Sequence, residues 1–287
     1  MAIKLGGGGG SASQINEVVT LNSNADTVTL SDGRVYLKGG IVESNPATYP
    51  LASTSILQSG ISFSVGAQEN QPNSVTWDGT HYWVIGTSAD TAFKYTAAGV
   101  YTGTSFSVAG QMTVPRGITW DGTFFWVISN NNATAYKYNS AGTYQNVSWN
   151  ATGTTGCMDI ESDGTHFYIT DAAQKKVYKY DSAGASVANY DVTAQASSPY
   201  GIVWDGTNFW TSNAASPFLV YKYNSSFVYQ NASFSVDSTG TYAPGLAYDG
   251  TNIVMVGGSV ASVWQFAPAV GITSVSNLGG TNYMRVA

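Results

Sequence analysis

The sequence predicts an all-β protein built from a repeated unit, and three observations lead to this prediction. A nonapeptide of the form I-T-W-D-G-T-F-F-W at 118–126 has four further copies along the chain. The copies recur at intervals of 42 to 44 residues, a period typical of repeat architectures. Each unit also carries a Y-K-Y stretch or its like, and two units carry an F-S-V stretch, at 106–108 and 234–236. Four short strands per unit are the arithmetic of a β-propeller blade.

The second copy shows how one unit divides into strands. Residues 117–120 form the first predicted strand and 124–129 the second. They are joined by an Asp-Gly-Thr turn, where glycine accepts a positive φ at little cost. An Asn-rich loop leads to the third strand at 134–138, and a Ser-Ala-Gly turn leads to the fourth at 144–149.

Large aromatic residues at matched positions are expected to fill the space between blades. One aromatic position directly precedes the turn aspartate, and a second follows the turn. In the third repeat Ser162 replaces the first aromatic residue, so packing is predicted to be loosest there. The aspartates are expected to cap their turns. The structural residues of the repeat are Trp77, Asp78, Trp120, Asp121, Asp163, Trp204, Asp205 and Asp249.

Closure of the ring has two solutions in the sequence. Residues 61–65 read as a fourth strand with no complete unit before them, whereas the fifth unit has no fourth strand behind it. A five-bladed propeller results if 61–65 completes the fifth blade and covers an edge that would otherwise promote aggregation. The alternative is a six-bladed ring with a degenerate blade at 28–65.

The two ends of the chain depart from the repeat. Residues 1–52 contain a five-glycine tract and predict a small, Gly-rich β appendage. The propeller is assigned to 53–268. Residues 269–287 predict a hairpin tail around Gly279-Gly280 that packs near the N-terminal appendage, because both ends of a closed ring emerge close together.

Composition limits the partners that the protein is expected to have. The net charge is −6, and 11 basic residues form no patch in the sequence, which argues against nucleic acid. No apolar run reaches the ~18 residues of a membrane helix, so no membrane insertion is expected. With only 10% charged residues, the polar surface suits sugar hydroxyls, or equally a robust, protease-resistant exterior. Cys157 is expected to be a buried thiol.

Catalytic patterns are missing from the sequence. The two histidines, His81 and His166, occupy equivalent turn positions in different repeats, so they are not expected to share a metal. No hydrolase, zinc-protease or nucleotide-binding motif is present. The axis of the ring is expected to offer no carboxylate pair and no histidine cluster. The sequence therefore predicts no enzyme, metal or cofactor; the alternative is a lyase or depolymerase on a propeller scaffold, acting on surface polysaccharide.

The loops between blades are the expected place for a binding site, because they vary over a fixed frame. The Asp-Gly-Thr turns lie at the opposite face and are interpreted as scaffold. One equivalent position beside the axis differs in every repeat, with Pro244 in the fifth. Candidate ligand-binding residues on the loop face are Asn73, Arg116, Met158, Tyr200, Asn130, Asn131, Asp171 and Asn213.

Two resemblances add to this interpretation. The repeat G-I-x-W-D-G-T-x-F-W over about 60–268 resembles propeller repeats of the NHL type in bacterial and phage proteins. The opening L-G-G-G-G-G-S-A-S-Q-I-N and the ending T-N-Y-M-R-V are similar to end segments of tailed-bacteriophage tail-fibre proteins. This second resemblance implies a virion protein, assembled in the host cytoplasm, that contacts other virion proteins through 1–52 and 269–287. A homotrimer is expected by analogy with fibres.

Two hypotheses of function follow from these observations. In the first, a tail-fibre or tail-associated protein presents its propeller to a receptor or glycan on the host surface. In the second, the protein is a structural or decoration component whose propeller contacts other virion subunits. Binding to envelope glycans would favour the first, and burial between subunits of the particle would favour the second.

Overall fold

The structure of this protein is a computed structural model. It describes residues 2–4, 18–20, 27–29, 35–38, 57–216, 218–236, 245–257, 260–267, 272–278 and 281–286. Within these ranges every helix or strand assigned is a β-strand, as the sequence predicts. The strands before the repeat are β1 (Ala2–Lys4), β2 (Val18–Thr20), β3 (Thr27–Thr29), β4 (Val35–Lys38) and β5 (Leu57–Ser64).

The repeat supplies the next nineteen strands, and the tail supplies two more. Blade 1 consists of β6 (Pro72–Trp77), β7 (His81–Gly86), β8 (Thr91–Thr96) and β9 (Tyr101–Ser107), and blade 2 of β10 (Pro115–Trp120), β11 (Phe125–Ser129), β12 (Thr134–Tyr138) and β13 (Tyr144–Asn150). Blade 3 consists of β14 (Cys157–Ser162), β15 (Phe167–Asp171), β16 (Lys176–Tyr180) and β17 (Ser186–Asp191), and blade 4 of β18 (Pro199–Trp204), β19 (Asn208–Asn213), β20 (Leu219–Asn224) and β21 (Tyr229–Ser235). Blade 5 contains β22 (Gly245–Tyr248), β23 (Ile253–Gly257) and β24 (Ser262–Ala267), and the tail contains β25 (Ile272–Leu278) and β26 (Thr281–Val286).

Five antiparallel four-stranded sheets form the blades, and the predicted five-bladed propeller is confirmed. In blades 1 to 4 the strands pair in chain order. The fifth blade has the order β22-β23-β24-β5, so its outermost strand comes from the beginning of the repeat region. Ser64 pairs with Ser262, and the amide of Val65 donates to the carbonyl of Ala261 at 2.8 Å. The six-bladed alternative is wrong because β3 and β4 belong to another sheet.

The chain divides into two compact units. One contains Met1–Ser55 and Ala269–Ala287, and the other contains Ile56–Pro268. In the first unit β25, β26, β4 and β3 form one antiparallel sheet, in which Val286 pairs with Val35. Both ends of the chain therefore contribute strands to a single sheet. The predicted turn residues Gly279 and Gly280 lie outside the described residues, as does the whole glycine tract.

The turn aspartate organises each blade of the second unit. In blade 1, Oδ1 of Asp78 accepts hydrogen bonds from the amides of Thr80 at 2.9 Å and His81 at 2.7 Å. Its Oδ2 accepts one from the indole Nε1 of Trp83 at 2.8 Å. Gly79 adopts a φ of 92°, which favours glycine. The same carboxylate pattern recurs at Asp121, Asp163 and Asp205, with a tyrosine hydroxyl as the side-chain donor in blade 3.

Aromatic rings pack both within and between blades. Trp120 lies 4.6 Å from Phe125 of its own blade, between ring centroids, and the pairs in blades 1 and 4 have the same spacing. The second aromatic position reaches the next blade: the ring of Trp83 lies 4.9 Å from Phe125, and that of Trp126 lies 4.9 Å from Phe167. Such offset contacts add to the burial that holds the blades together.

Candidate functional site

The innermost strand of each blade has a hydrogen-bonding neighbour on one side only. Its other edge faces the axis of the ring, where backbone groups need partners from elsewhere. A side chain on one blade can contact a non-adjacent blade only across this axis. Cross-axis contacts therefore locate the residues that meet at the centre of the propeller.

Arg116 is one of these cross-axis residues. It lies at the beginning of the innermost strand of blade 2, and its Nη1 donates to the hydroxyl of Tyr200 on blade 4 at 2.7 Å. The same atom donates to Oδ1 of Asn73 on blade 1 at 3.2 Å. We call Asn73, Arg116 and Tyr200 the axial cluster. Three of the predicted binding residues thus come together at one end of the axis.

Two further predicted residues on the loop face contact each other. Met158 occupies the equivalent position on blade 3, and its sulfur lies 3.9 Å from Nδ2 of Asn130. Both side chains are half-buried. Pro244, which has this position in blade 5, lies outside the described residues. Asn131 is exposed and donates to Oγ1 of Thr113 at 3.2 Å, with no contact to the cluster.

The other two predicted residues, Asp171 and Asn213, hold loops in place. The Asp171 carboxylate accepts hydrogen bonds from the amides of Thr155 at 2.6 Å and Gln174 at 2.9 Å. Asn213 accepts one from the amide of Ser198 at 2.9 Å. Both side chains are buried, and these hydrogen bonds hold the loops next to their own strands.

Blade 1 performs the same loop fastening with a residue that the sequence reasoning missed. Gly86 stands at the position of Asp171, and the carboxylate of Glu69 fills the space that a Cβ there would occupy. Glu69 accepts hydrogen bonds from the amides of Gln71 at 2.8 Å and Ala89 at 3.2 Å. The signal was a glycine in the first repeat where the second, third and fourth repeats have a polar side chain.

A pair of carboxylic side chains further along the axis was also missed. Asp159 and Glu161 lie on the innermost strand of blade 3, two residues apart. Asp159 Oδ1 accepts a hydrogen bond from Ser74 Oγ of blade 1 at 2.8 Å, which places it across the axis. The expectation that the axis offers no carboxylate pair is therefore wrong.

These two side chains accept hydrogen bonds from backbone amides on the unpaired edge of the innermost strand of blade 4. Asp159 Oδ2 accepts the amide of Ile202 at 3.2 Å, and Glu161 Oε1 accepts the amide of Trp204 at 3.1 Å, both on blade 4. Glu161 also accepts a hydrogen bond from Thr119 Oγ1 of blade 2 at 3.0 Å. Gly117 leaves room for Asp159, because a Cβ there would lie 2.6 Å from Oδ1. The carboxyl groups thus link blades 1, 2, 3 and 4.

Burial changes the ionisation of both groups. Desolvation raises the pKa of Asp159 well above its usual range, against the hydrogen bond from Ser74. Desolvation likewise raises the pKa of Glu161 to about 8, against the hydrogen bonds from Trp204 and Thr119. The protonated form of Glu161 is therefore favoured at neutral pH. Perturbed carboxyl groups of this kind occur at catalytic sites and also in structural networks.

The histidines lie apart from this region. Nδ1 of His81 is 3.8 Å from Asp78, and Nδ1 of His166 is 3.8 Å from Asp163, each in its own turn. Among the described residues no group of three or more metal-ligating side chains comes together. Nor does the described part of the chain contain a helix with the length and apolar character that a membrane crossing requires.

The fold and the axial residues define a five-bladed β-propeller whose loop face carries a polar cluster on the axis. No protein-family model matches the sequence, and no curated protein matches it. Among solved structures, glutaminyl cyclase of Myxococcus xanthus is similar with a TM-score of 0.56 and 10% identity, over 75% of this chain and 95% of that one. Virginiamycin B lyase of Staphylococcus aureus has a TM-score of 0.46 and 12% identity, over 88% and 84%.

These comparisons contradict the prediction that the protein is not an enzyme. That prediction depended on missing motifs and on an axis without carboxylates, yet a structure that shares the fold is that of an enzyme. The axis also carries Asp159 and Glu161. At 10% identity the likeness shows the fold and assigns no reaction to this chain.

Proposed function

We propose that this propeller binds a receptor of the glycan class on a host cell surface, through the axial cluster on its loop face. The observation that carries the proposal is that the Arg116 guanidinium is held in place without a carboxylate partner among the described residues. Its side chain is half-buried and is held across the axis by Asn73 and Tyr200. No described carboxylate forms an ion pair with it, and its Nε is buried without a hydrogen-bond partner.

A guanidinium in this position suits an oxygen-rich ligand. Its remaining N–H groups form a planar fork that matches carboxylate and vicinal hydroxyl groups. Tyr200 and Asn73 hold the side chain, so less conformational entropy is lost on binding. Polar, uncharged side chains dominate the loops around it. These features favour a sugar that bears hydroxyl or carboxylate groups over a large apolar partner.

We further propose that the protein is a tail-fibre or tail-associated component of a bacteriophage virion, assembled in the host cytoplasm. This rests on the resemblance of both chain ends to tail-fibre segments, and both ends contribute strands to one sheet. In this arrangement 1–52 and 269–287 contact other virion proteins and leave the propeller free. Copies in a trimer would compensate for weak single sites by multivalency.

The binding proposal can be tested on a glycan array with the full chain and the variant Arg116→Lys. Lysine keeps the positive charge but loses the fork, so binding is expected to fall at least tenfold. Asn131→Ala changes an exposed neighbour outside the axial cluster and is the matched control. If the wild-type protein retains no host glycan, or if both variants bind equally well, the proposal is rejected.

The assignment to a virion has its own test. Antibodies raised against residues 62–236 should decorate phage particles in electron micrographs and reduce their adsorption to host cells. Decoration without any effect on adsorption would favour a structural component of the particle. Particles that carry no label would reject the assignment.

A further inference from the structure

The face that carries the Asp-Gly-Thr turns departs from the repeat at two neighbouring places. In blade 3, Ser162 stands where the other blades have Trp77, Trp120, Trp204 or Tyr248. In the facing turn of blade 2, Phe124 stands where the other blades have histidine or asparagine. Ser162 ends the innermost strand that begins at Cys157, so this place lies at the opposite end of the strand from the axial cluster.

The missing aromatic ring leaves an open space between blades 2 and 3. In blade 2 the indole of Trp120 packs 4.6 Å from Phe125, whereas Ser162 offers no ring to Phe167. A cleft of about 280 Å³ results. The cleft is lined by Asp121, Thr123, Phe124, Trp126, Lys137, Ser162, Gly164, Thr165, Phe167 and Ser182.

Aromatic rings and hydroxyl groups dominate this lining. Phe124 is half-exposed, while Trp126 and Phe167 are almost wholly buried beneath it. Thr123, Thr165 and Ser182 are exposed at the rim. The carboxylate of Asp121 is already engaged by the amide of Phe124 at 2.8 Å and by the indole of Trp126 at 2.8 Å, so it is not an open acceptor.

Lys137 is the one basic residue of the lining. Its Nζ lies 3.7 Å from the ring centroid of Phe124 and 5.5 Å from that of Trp126. In blade 1 the equivalent Lys94 lies 4.0 Å from the turn aspartate, but Lys137 forms no such ion pair. Its ammonium group is therefore held at the cleft by cation–π attraction, with donors available for an incoming oxygen.

We infer that this cleft is a second binding site, which accepts a single sugar ring. A hexose has an apolar C–H face that packs on aromatic rings and a rim of hydroxyl groups that pair with threonine, serine and lysine. The volume of about 280 Å³ lies just below the ~300–1,000 Å³ found for drug-sized ligands, which fits one ring better than an oligosaccharide. The site is independent of the axial cluster and does not depend on its proposed function.

Saturation-transfer NMR on the full chain tests the inference with methyl glycosides of glucose, galactose, mannose, N-acetylglucosamine and glucuronic acid. We expect at least one glycoside to bind with a millimolar Kd. Ser162→Trp restores the residue of the other blades and fills the cleft, so binding should fall at least tenfold without a lower melting temperature. To separate the two sites, the comparison is repeated in the Arg116→Lys background, where the glycoside binding that remains should still be lost on Ser162→Trp.

A second pair of variants covers the case in which Ser162→Trp does not fold. Lys137→Ala should weaken glycoside binding at least threefold. Its matched control Lys222→Ala should not, because Lys222 lies 5.1 Å from Trp210 beside a blade that has Tyr248 in place of serine. Binding of indole but of no glycoside would show a site for an aromatic side chain and overturn the inference. So would glycoside binding that both cleft variants retain.

Discussion

The phenolic hydroxyl of Tyr82 on blade 1 donates to Oδ2 of Asp249 in the turn of blade 5 at 2.8 Å. In blades 1 to 4 the turn aspartate receives this hydrogen bond from an aromatic residue of its own blade. Blade 5 has Val254 at that position, which donates nothing. The neighbouring blade supplies the donor instead, together with Gln265 Nε2 at 3.2 Å. One hydrogen bond thus completes the last turn and joins the last blade to the first.

Tyr82→Phe should therefore destabilise the ring. A buried hydrogen bond to a carboxylate is worth about 2 kcal/mol, and the loss leaves Asp249 without one of its donors. The matched control is Tyr95→Phe, an equally buried tyrosine whose hydroxyl contacts only the neutral Gln68 Oε1 at 3.3 Å. Unfolding in guanidinium chloride should show the larger loss for Tyr82→Phe. Equal losses would contradict the special role of this contact.

The stability of the propeller should fall as pH rises from about 4 to about 8. Glu161 has a pKa of about 8 in the folded chain because burial favours its protonated form, and about 4.3 in the unfolded chain. Between these values the folded state binds more protons, so the free energy of unfolding decreases with pH. Asp159, whose pKa is also raised, contributes in the same direction.

Glu161→Gln isolates the contribution of this residue. The amide keeps an acceptor for the Trp204 amide and removes the titration, so the slope between pH 4 and pH 8 should become shallower. At pH 8 the variant should be more stable by about 1 kcal/mol or more, since one pKa unit corresponds to about 1.4 kcal/mol. Urea unfolding at several pH values provides the measurement, and an unchanged slope would contradict the assigned pKa.

Phe227 occupies a turn position where blades 1, 2 and 3 have glycine. Its φ is 58°, in the left-handed region, and its ring stacks on Tyr190 with 4.5 Å between centroids. Phe227→Ala should cost about 3 kcal/mol through the loss of ring packing. Phe227→Gly should cost about 1 kcal/mol less, although it removes more atoms, because glycine adopts positive φ freely. Thermal denaturation would give the order of the two variants, and the reverse order would exclude backbone strain.

Cys157 is predicted to be unreactive in the folded protein. It is buried, and desolvation raises its pKa to about 11, so little thiolate exists at neutral pH. Iodoacetamide at pH 8 should label this thiol only after denaturant unfolds the chain. Mass spectrometry of the native and unfolded samples measures this, and rapid labelling of the native protein would contradict the burial.

The ring could be predicted from the repeat, because every unit has the same pattern of strands and the same Asp-Gly-Thr turn. The predicted third strand, 134–138, agrees with the observed Thr134–Tyr138. The axial cluster could also be predicted from the sequence, because Arg116 and Tyr200 occupy equivalent positions of two repeats, and this position differs in every repeat. Asp171 and Asn213 vary for another reason: each fastens its own loop, and sequence alone does not separate variation for fastening from variation for binding.

Asp159 and Glu161 could not be found by comparing repeats for shared features, because each occurs once. Their carboxyl groups accept hydrogen bonds from residues of other blades, and these contacts are visible only in the folded ring. The glycine at 117 was the available signal, since it makes room for a neighbour rather than for its own strand. The cleft at Ser162 was anticipated as loose packing, but Phe124 on the facing blade was not connected with it.

The fifth blade has a consequence for the order of events during folding. Ser64 and its partner Ser262 are separated by 198 positions, so the closing pair is among the most non-local contacts of the ring. During synthesis, β5 leaves the ribosome before all the other strands of the blades, and its partner β24 leaves last. Closing so long a loop is entropically costly and slows folding. Until β24 is synthesised, β5 of the nascent chain has no partner strand, and the β24 of a neighbouring chain would fit it equally well.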